Sequence, residues 1–237
     1  MTAAAMNPEG SNLSTPERVL APDPARIAPE DRDRAALYGI LASALEAPVT
    51  RDWLTVVSAL PGSGGGPIGE ALSDLASAAA GTTPERAARD YHDLFIGVGR
   101  GELVPYASYY LTGFLNEKPL ALLRQEMRRL GVERDPSVRE PEDHIAALCQ
   151  IMAGLIEGSF GDPGDPAAQG RFFRAHLGNW APYFFKDLAA STTGRLYPAL
   201  GRLGQVFLDL EEQADTLFAA ERATGGDPPE TDGAPGA

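Results

Sequence analysis

Cysteine is almost missing from this chain: Cys149 is the only one in 237 residues. It can form no disulfide within the chain and cannot anchor a thiolate zinc site. A single thiol fits a reducing compartment. Basic residues are also scarce, with 20 Lys and Arg against 33 Asp and Glu and a net charge of −13. Such a surface repels phosphate backbones, so nucleic acid is not an expected partner. It suits a cationic partner, although many acidic proteins are acidic only for solubility. No apolar run reaches 18 residues, so no membrane insertion is expected. The N-terminal M-T-A-A-A-M-N-P-E-G-S has no basic stretch followed by an apolar one, so no secretory signal is expected. Strand signals are nearly absent as well.

What remains is helical punctuation and periodicity. Residues 1–27, with Pro8, Pro16, Pro22 and Pro24, read as a disordered tail, and 223–237 as a second one. Between them the expectation is one all-α domain over 28–222, with roughly nine helices and no fixed repeat. Pro29-Glu30-Asp31 opens a first helix, and Thr50 caps a second. Helices follow from about 67 to 80 and from Thr83-Pro84-Glu85 through Phe95. Residues 96–118 read as a long loop rich in glycine and aromatic groups, a kind of segment that is more often functional than idle. Pro119 opens the next helix, with Gly131 as its C-cap. Pro141, Asp165-Pro166, the segment around Trp180 and the stretch near 195–222 supply the rest. Pro198 marks the start of the last helix or a kink in it.

The stretch R-E-P-E-D-H at 139–144 is the most informative. Pro141 suits the first position of a helix, and Glu142 and Asp143 would then sit in a first turn that favours acids. Glu140 would cap it. On that reading His144 falls just inside the apolar arc of Leu148, Ile151, Met152, Leu155 and Ile156. A histidine there is either a core residue bonded to a carbonyl or carboxylate, or part of a site. The chain has three histidines, His92, His144 and His176, and no H-E-x-x-H, G-x-S-x-G or phosphate-loop pattern. A metal shared by the three histidines and nearby carboxylates is the enzyme-class alternative, and motif spacing does not favour it.

Four elements resemble the TorD/DmsD family of molybdoenzyme maturation chaperones. They are Y-H-D-L-F-I-G-V-G at 91–99, P-Y-A-S-Y-Y at 105–110, E-P-E-D-H-I-A-A-L at 140–148 and F-F-R-A-H-L-G-N-W-A-P-Y-F-F-K-D-L at 172–188. The resemblance covers about residues 33–215. It implies an all-helical cytoplasmic protein that is not an enzyme and needs no cofactor or metal. It also implies a partner: the twin-arginine signal peptide of a molybdopterin oxidoreductase precursor, held until its cofactor is inserted and export can follow. The peptide-binding residues it implies are Glu140, Pro141, Asp143, His144, Tyr91, Phe95, Tyr106, Ser108, Tyr110 and Trp180, with Gly97 and Pro105 also matching the pattern. Formate dehydrogenase is the client expected first, ahead of dimethyl sulfoxide or trimethylamine N-oxide reductase. The alternative is an assembly factor that docks on the body of a non-exported molybdoenzyme and ignores the leader. A monomer is the default expectation, and the glycine-rich stretch 62–66 would permit a helix-swapped dimer. The Arg128-Arg129 pair is expected to be helical and internal, not an export signal.

Overall fold

The computed structural model describes residues 27–60, 65–98, 101–134, 139–160 and 165–224. Most of both expected tails, and parts of the 63–66, 97–101 and 158–166 connections, lie outside the described residues. Two tail boundaries move: Ile27 is buried, and residues 223–224 belong to the last helix.

The described residues form ten α-helices and no sheet. They are α1 (Pro29–Glu46), α2 (Arg51–Ser58), α3 (Pro67–Ala80), α4 (Pro84–Tyr91), α5 (Ala107–Thr112), α6 (Lys118–Leu130), α7 (Ile145–Glu157), α8 (Pro166–His176), α9 (Ala181–Ala190) and α10 (Leu196–Thr224). None is both long and apolar enough to cross a membrane. The tenth helix, beyond the nine expected, is α5, which lies inside the stretch read as a loop. A π-helical turn, His92–Ile96, also extends the end of α4.

Proline and capping signals place most of the starts. The Thr50 hydroxyl accepts the Trp53 N–H, and Thr83 accepts that of Arg86. Asp165 takes the N–H groups of Ala167 and Ala168. Gly131 ends α6 in the left-handed conformation, at φ 68°. Pro198 is the third residue of α10, within the first turn, where the missing N–H costs no helical bond.

One expected start is wrong. Pro141, Glu142 and Asp143 do not form a first helical turn, because α7 begins at Ile145 and His144 is its N-cap. Residues 105–107 and 143–145 instead pair as a short antiparallel bridge. The Ala107 N–H donates to the Asp143 carbonyl at 3.0 Å, and the Ile145 N–H to the Pro105 carbonyl at 2.9 Å. The loop from the Gly-aromatic region therefore takes backbone groups that a helix would otherwise have used.

Helix α7 is the hub. Ile145, Leu148, Cys149, Met152 and Ile156 are fully enclosed, and burial extends nearly around the helix, as in a central core element. Helix α1 packs along it, and Tyr38, Leu41 and Leu45 of α1 are buried. Helix α10 crosses α9 and α3. The α10–α9 approach depends on Gly201, where a Cβ would lie 2.4 Å from the Ala189 backbone nitrogen. Arg34 of α1 forks onto Glu211 of α10 at 2.7 and 2.9 Å, and the Tyr38 hydroxyl donates to the same carboxylate at 3.0 Å. This bidentate pair ties the first helix to the last.

Candidate functional site

The bridge brings two of the sequence elements together. Asp143 is only 1% exposed. Its Oδ2 accepts the Ser108 backbone N–H at 2.8 Å and the Ser108 hydroxyl at 2.5 Å. Ser108 is itself fully buried at the start of α5. The carboxylate thus anchors the first turn of α5, where orphan N–H groups and the helix dipole favour an anion. Its Oδ1 is buried without a hydrogen bond among the described residues, beside a narrow recess bordered by Leu111, Leu123, Leu148 and His176.

His144 is 8% exposed and caps α7 through its ring: Nδ1 accepts the Ala146 N–H at 3.1 Å. The neutral ring therefore carries its proton on Nε2. Burial pushes the imidazole down to about 4, against a smaller upward pull from Glu140. The Tyr106 ring meets it edge-on, with centroids 5.0 Å apart, and the Tyr106 hydroxyl donates to Glu140. Burial, followed by that hydrogen bond, raises the Tyr106 phenol.

Glu140, Pro141 and His144 open onto a cleft of about 310 Å³ between the end of α1, the end of α6 and the start of α7. Met127, Val132, Ala146, Ile151 and Phe160 supply its apolar wall. Its acidic groups are Glu46, Glu133, Glu140 and Glu142. Glu142 is already engaged by Arg124 at 2.8 Å and Arg134 at 3.7 Å. Burial alone would raise the Glu142 carboxyl, but these arginines hold it below its ordinary range. Glu46 takes the Gln150 amide at 3.0 Å, and Glu140 takes the Tyr106 hydroxyl. Neither forms an ion pair among the described residues. The cleft thus offers two carboxylates without ion pairs among the described residues, Glu46 and Glu140, beside an apolar wall and the His144 ring.

The other residues named from sequence, Tyr91, Phe95, Tyr110 and Trp180, do not line the cleft. The Tyr91 hydroxyl donates to the carbonyls of Leu45 and Glu46 at 3.2 and 3.1 Å, closing the end of α1. Phe95 packs against Tyr91 and Tyr197. The π-helical turn ends at Gly97, whose φ of 57° and ψ of −179° suit only glycine. Tyr110 donates to Asp187 at 2.9 Å and leans on Trp180 and Phe184. Trp180 is 1% exposed, its indole N–H bonded to the His176 carbonyl at 2.7 Å. Sequence reasoning missed Glu46, Glu133, Gln150 and Phe160, because they come from segments with no motif. The three histidines lie in different surroundings. His92 is half exposed beside Asp93, and His176 packs on Phe172. Among the described residues no group of three or more His, Cys, Asp or Glu could hold a metal.

The family model described as nitrate reductase delta subunit matches residues 65–186, just over half of the chain. The chain belongs to this family. The delta-subunit family match contains three of the four sequence elements entire, and the fourth up to Lys186. Among curated proteins, the chain is similar to the chaperone protein TorD of Vibrio cholerae serotype O1, at 34% identity over 139 residues, 55% of this chain and 63% of the relative. It is also similar to TorD of Shewanella loihica, at 34% over 138 residues, 54% and 61% of the two chains. The matches thus span about three fifths of these relatives. Both are named as chaperones, not catalysts. A putative redox enzyme maturation protein from Archaeoglobus fulgidus superposes with a TM-score of 0.52 at 21% identity, over 74% of this chain and 93% of that one. That likeness shows a shared all-helical fold.

Proposed function

We propose that this member of the delta-subunit family is a cytoplasmic chaperone for a molybdoenzyme. In this reading it binds the twin-arginine leader of the precursor in the cleft beside Glu140 and holds the precursor for cofactor insertion before export. One observation carries the reading: the Glu46 and Glu140 carboxylates, which form no ion pair among the described residues, lie beside an apolar wall. A leader of this kind presents two guanidinium groups next to an apolar run, and that combination calls for carboxylate acceptors and an apolar groove together. The net charge of −13 would speed the encounter with a basic peptide. Glu140, Pro141 and His144 are the contact residues. Asp143, Ser108, Tyr91, Phe95, Tyr106, Tyr110 and Trp180 hold the frame around them. Formate dehydrogenase is the first client to test, and the protein acts as a monomer.

A second reading has its own support. Leu111 of α5, Phe114 and Leu115 of the following turn and Leu122 of α6 are exposed, with Phe114 at 70%. Apolar exposure of this kind suits docking on the body of an enzyme, and such a factor would not need the leader. Calorimetric titration with a synthetic leader peptide of the molybdoenzyme encoded nearest this chain separates the two. Binding that weakens at least about tenfold when Arg-Arg becomes Lys-Lys is the expected result, because lysine cannot fork onto a carboxylate. No binding to either peptide would favour docking on the enzyme body.

A further inference from the structure

Helix α1 ends in a way that disfavours its own stability. Its last residue is Glu46, and its last turn holds no basic side chain. An anion at a helix C-terminus opposes the dipole, whose negative end already lies there. Local rules are commonly broken in this way where a protein binds something. The Tyr91 hydroxyl satisfies the last carbonyls of α1 but brings no charge. Burial, then Glu140, then Glu46 push the Tyr91 phenol up to about 12, so the fields of both carboxylates reach one hydroxyl. Gln150 holds the Glu46 carboxylate at 3.0 Å within the cleft lining. His144, more than nine-tenths buried, lines the same cleft and caps α7 through Nδ1.

We propose that Glu46 is a specificity residue of this cleft. It receives the second of two adjacent guanidinium groups while Glu140 receives the first. This rests on the leader-binding reading and extends it. In an extended peptide, neighbouring side chains point to opposite sides. Two adjacent arginines therefore suit two acceptors on separate elements, here the end of α1 and the 140–144 segment, better than one crowded acceptor. The His144 Nε2–H donates to a backbone carbonyl of the same peptide. A peptide with one arginine leaves one carboxylate uncompensated, so the arrangement selects the pair over a single cation.

The test is calorimetry of the full-length protein and its Glu46→Gln variant with three synthetic leader peptides. One carries Arg-Arg, and the other two each carry one Arg→Gln change. The variant is expected to bind the Arg-Arg peptide about tenfold more weakly. That loss should vanish with one of the singly changed peptides and persist with the other. The melting temperature of the free variant should be unchanged or higher, since an unfavourable anion is gone. Equal affinity of wild type and variant for the Arg-Arg peptide would overturn the role of Glu46 and leave leader binding standing. An equal loss with all three peptides would reduce Glu46 to general charge, and a lowered melting temperature would assign it to folding. Failure of the wild type to bind the Arg-Arg peptide would overturn leader binding and the role of Glu46 together.

Discussion

Replacing Asp143 with alanine lowers the stability of the folded protein by about 3 kcal/mol. The carboxylate is 1% exposed and carries two hydrogen bonds to Ser108, at 2.8 and 2.5 Å. Without it, a buried N–H and a buried hydroxyl lose their acceptor, and each such loss costs about 1–3 kcal/mol. Both partners sit at the start of α5, which the 143–145 segment also holds through the bridge. The loss should reach the melting temperature as a drop of roughly 6–12 °C for a chain of this size. Asp143→Asn should be milder, because one carbonyl oxygen can still accept both bonds from Ser108. Thermal and urea unfolding of the three proteins measure this. An alanine variant as stable as wild type would show that Asp143 does not hold α5 in place.

Acid should destabilise the protein through His144. The folded-state value is held near 4, mainly by burial, against about 6.5 for a free imidazole. Between those two values the unfolded chain binds a proton that the native ring refuses. Stability therefore rises with pH across this window and is lost as pH falls through it. The full difference, reached below the lower value, is about 3 kcal/mol. The geometry gives the reason: Nδ1 accepts the Ala146 N–H at 3.1 Å, and a protonated ring would turn a donor toward a donor. It would also place a cation at the positive end of α7. Asparagine keeps a capping acceptor but does not titrate. The difference in stability between wild type and His144→Asn, followed from pH 7 to pH 4, should thus change by about 3 kcal/mol in favour of the variant. Parallel acid profiles would place the lability in other groups.

The sequence is legible where a local signal has no long-range competitor. The same tripeptide, P-E-D, occurs twice and shows the difference. At 29–31 it opens α1 as expected, with Glu30 and Asp31 in the first turn. At 141–143 it does not open α7, because the backbone around 105–107 pairs with 143–145 and moves the helix start to Ile145. That partner is some 38 residues away, and no periodicity within 139–157 reports it. Glycines were misleading in a related way. Gly97 does break the helical pattern, but α5 re-forms at Ala107 within the stretch that read as loop, anchored by the buried Asp143. Of the residues marked by resemblance, Glu140, Pro141 and His144 line the cleft, whereas Trp180 and Ser108 are enclosed in the core. Glu46 carries no motif. Its signal is an uncompensated acid at a helix end, which becomes informative only once the helix boundary is known.

The central claim is that a twin-arginine leader occupies the cleft formed by the end of α1 and the 140–147 segment. Hydrogen–deuterium exchange, with and without saturating leader peptide, tests it most directly. Protection should appear at residues 44–47 and 139–147 and leave the exposed apolar stretch 111–122 unchanged. Protection confined to 111–122, with the cleft amides exchanging as in the free protein, would contradict it and place the binding surface on α5 and α6.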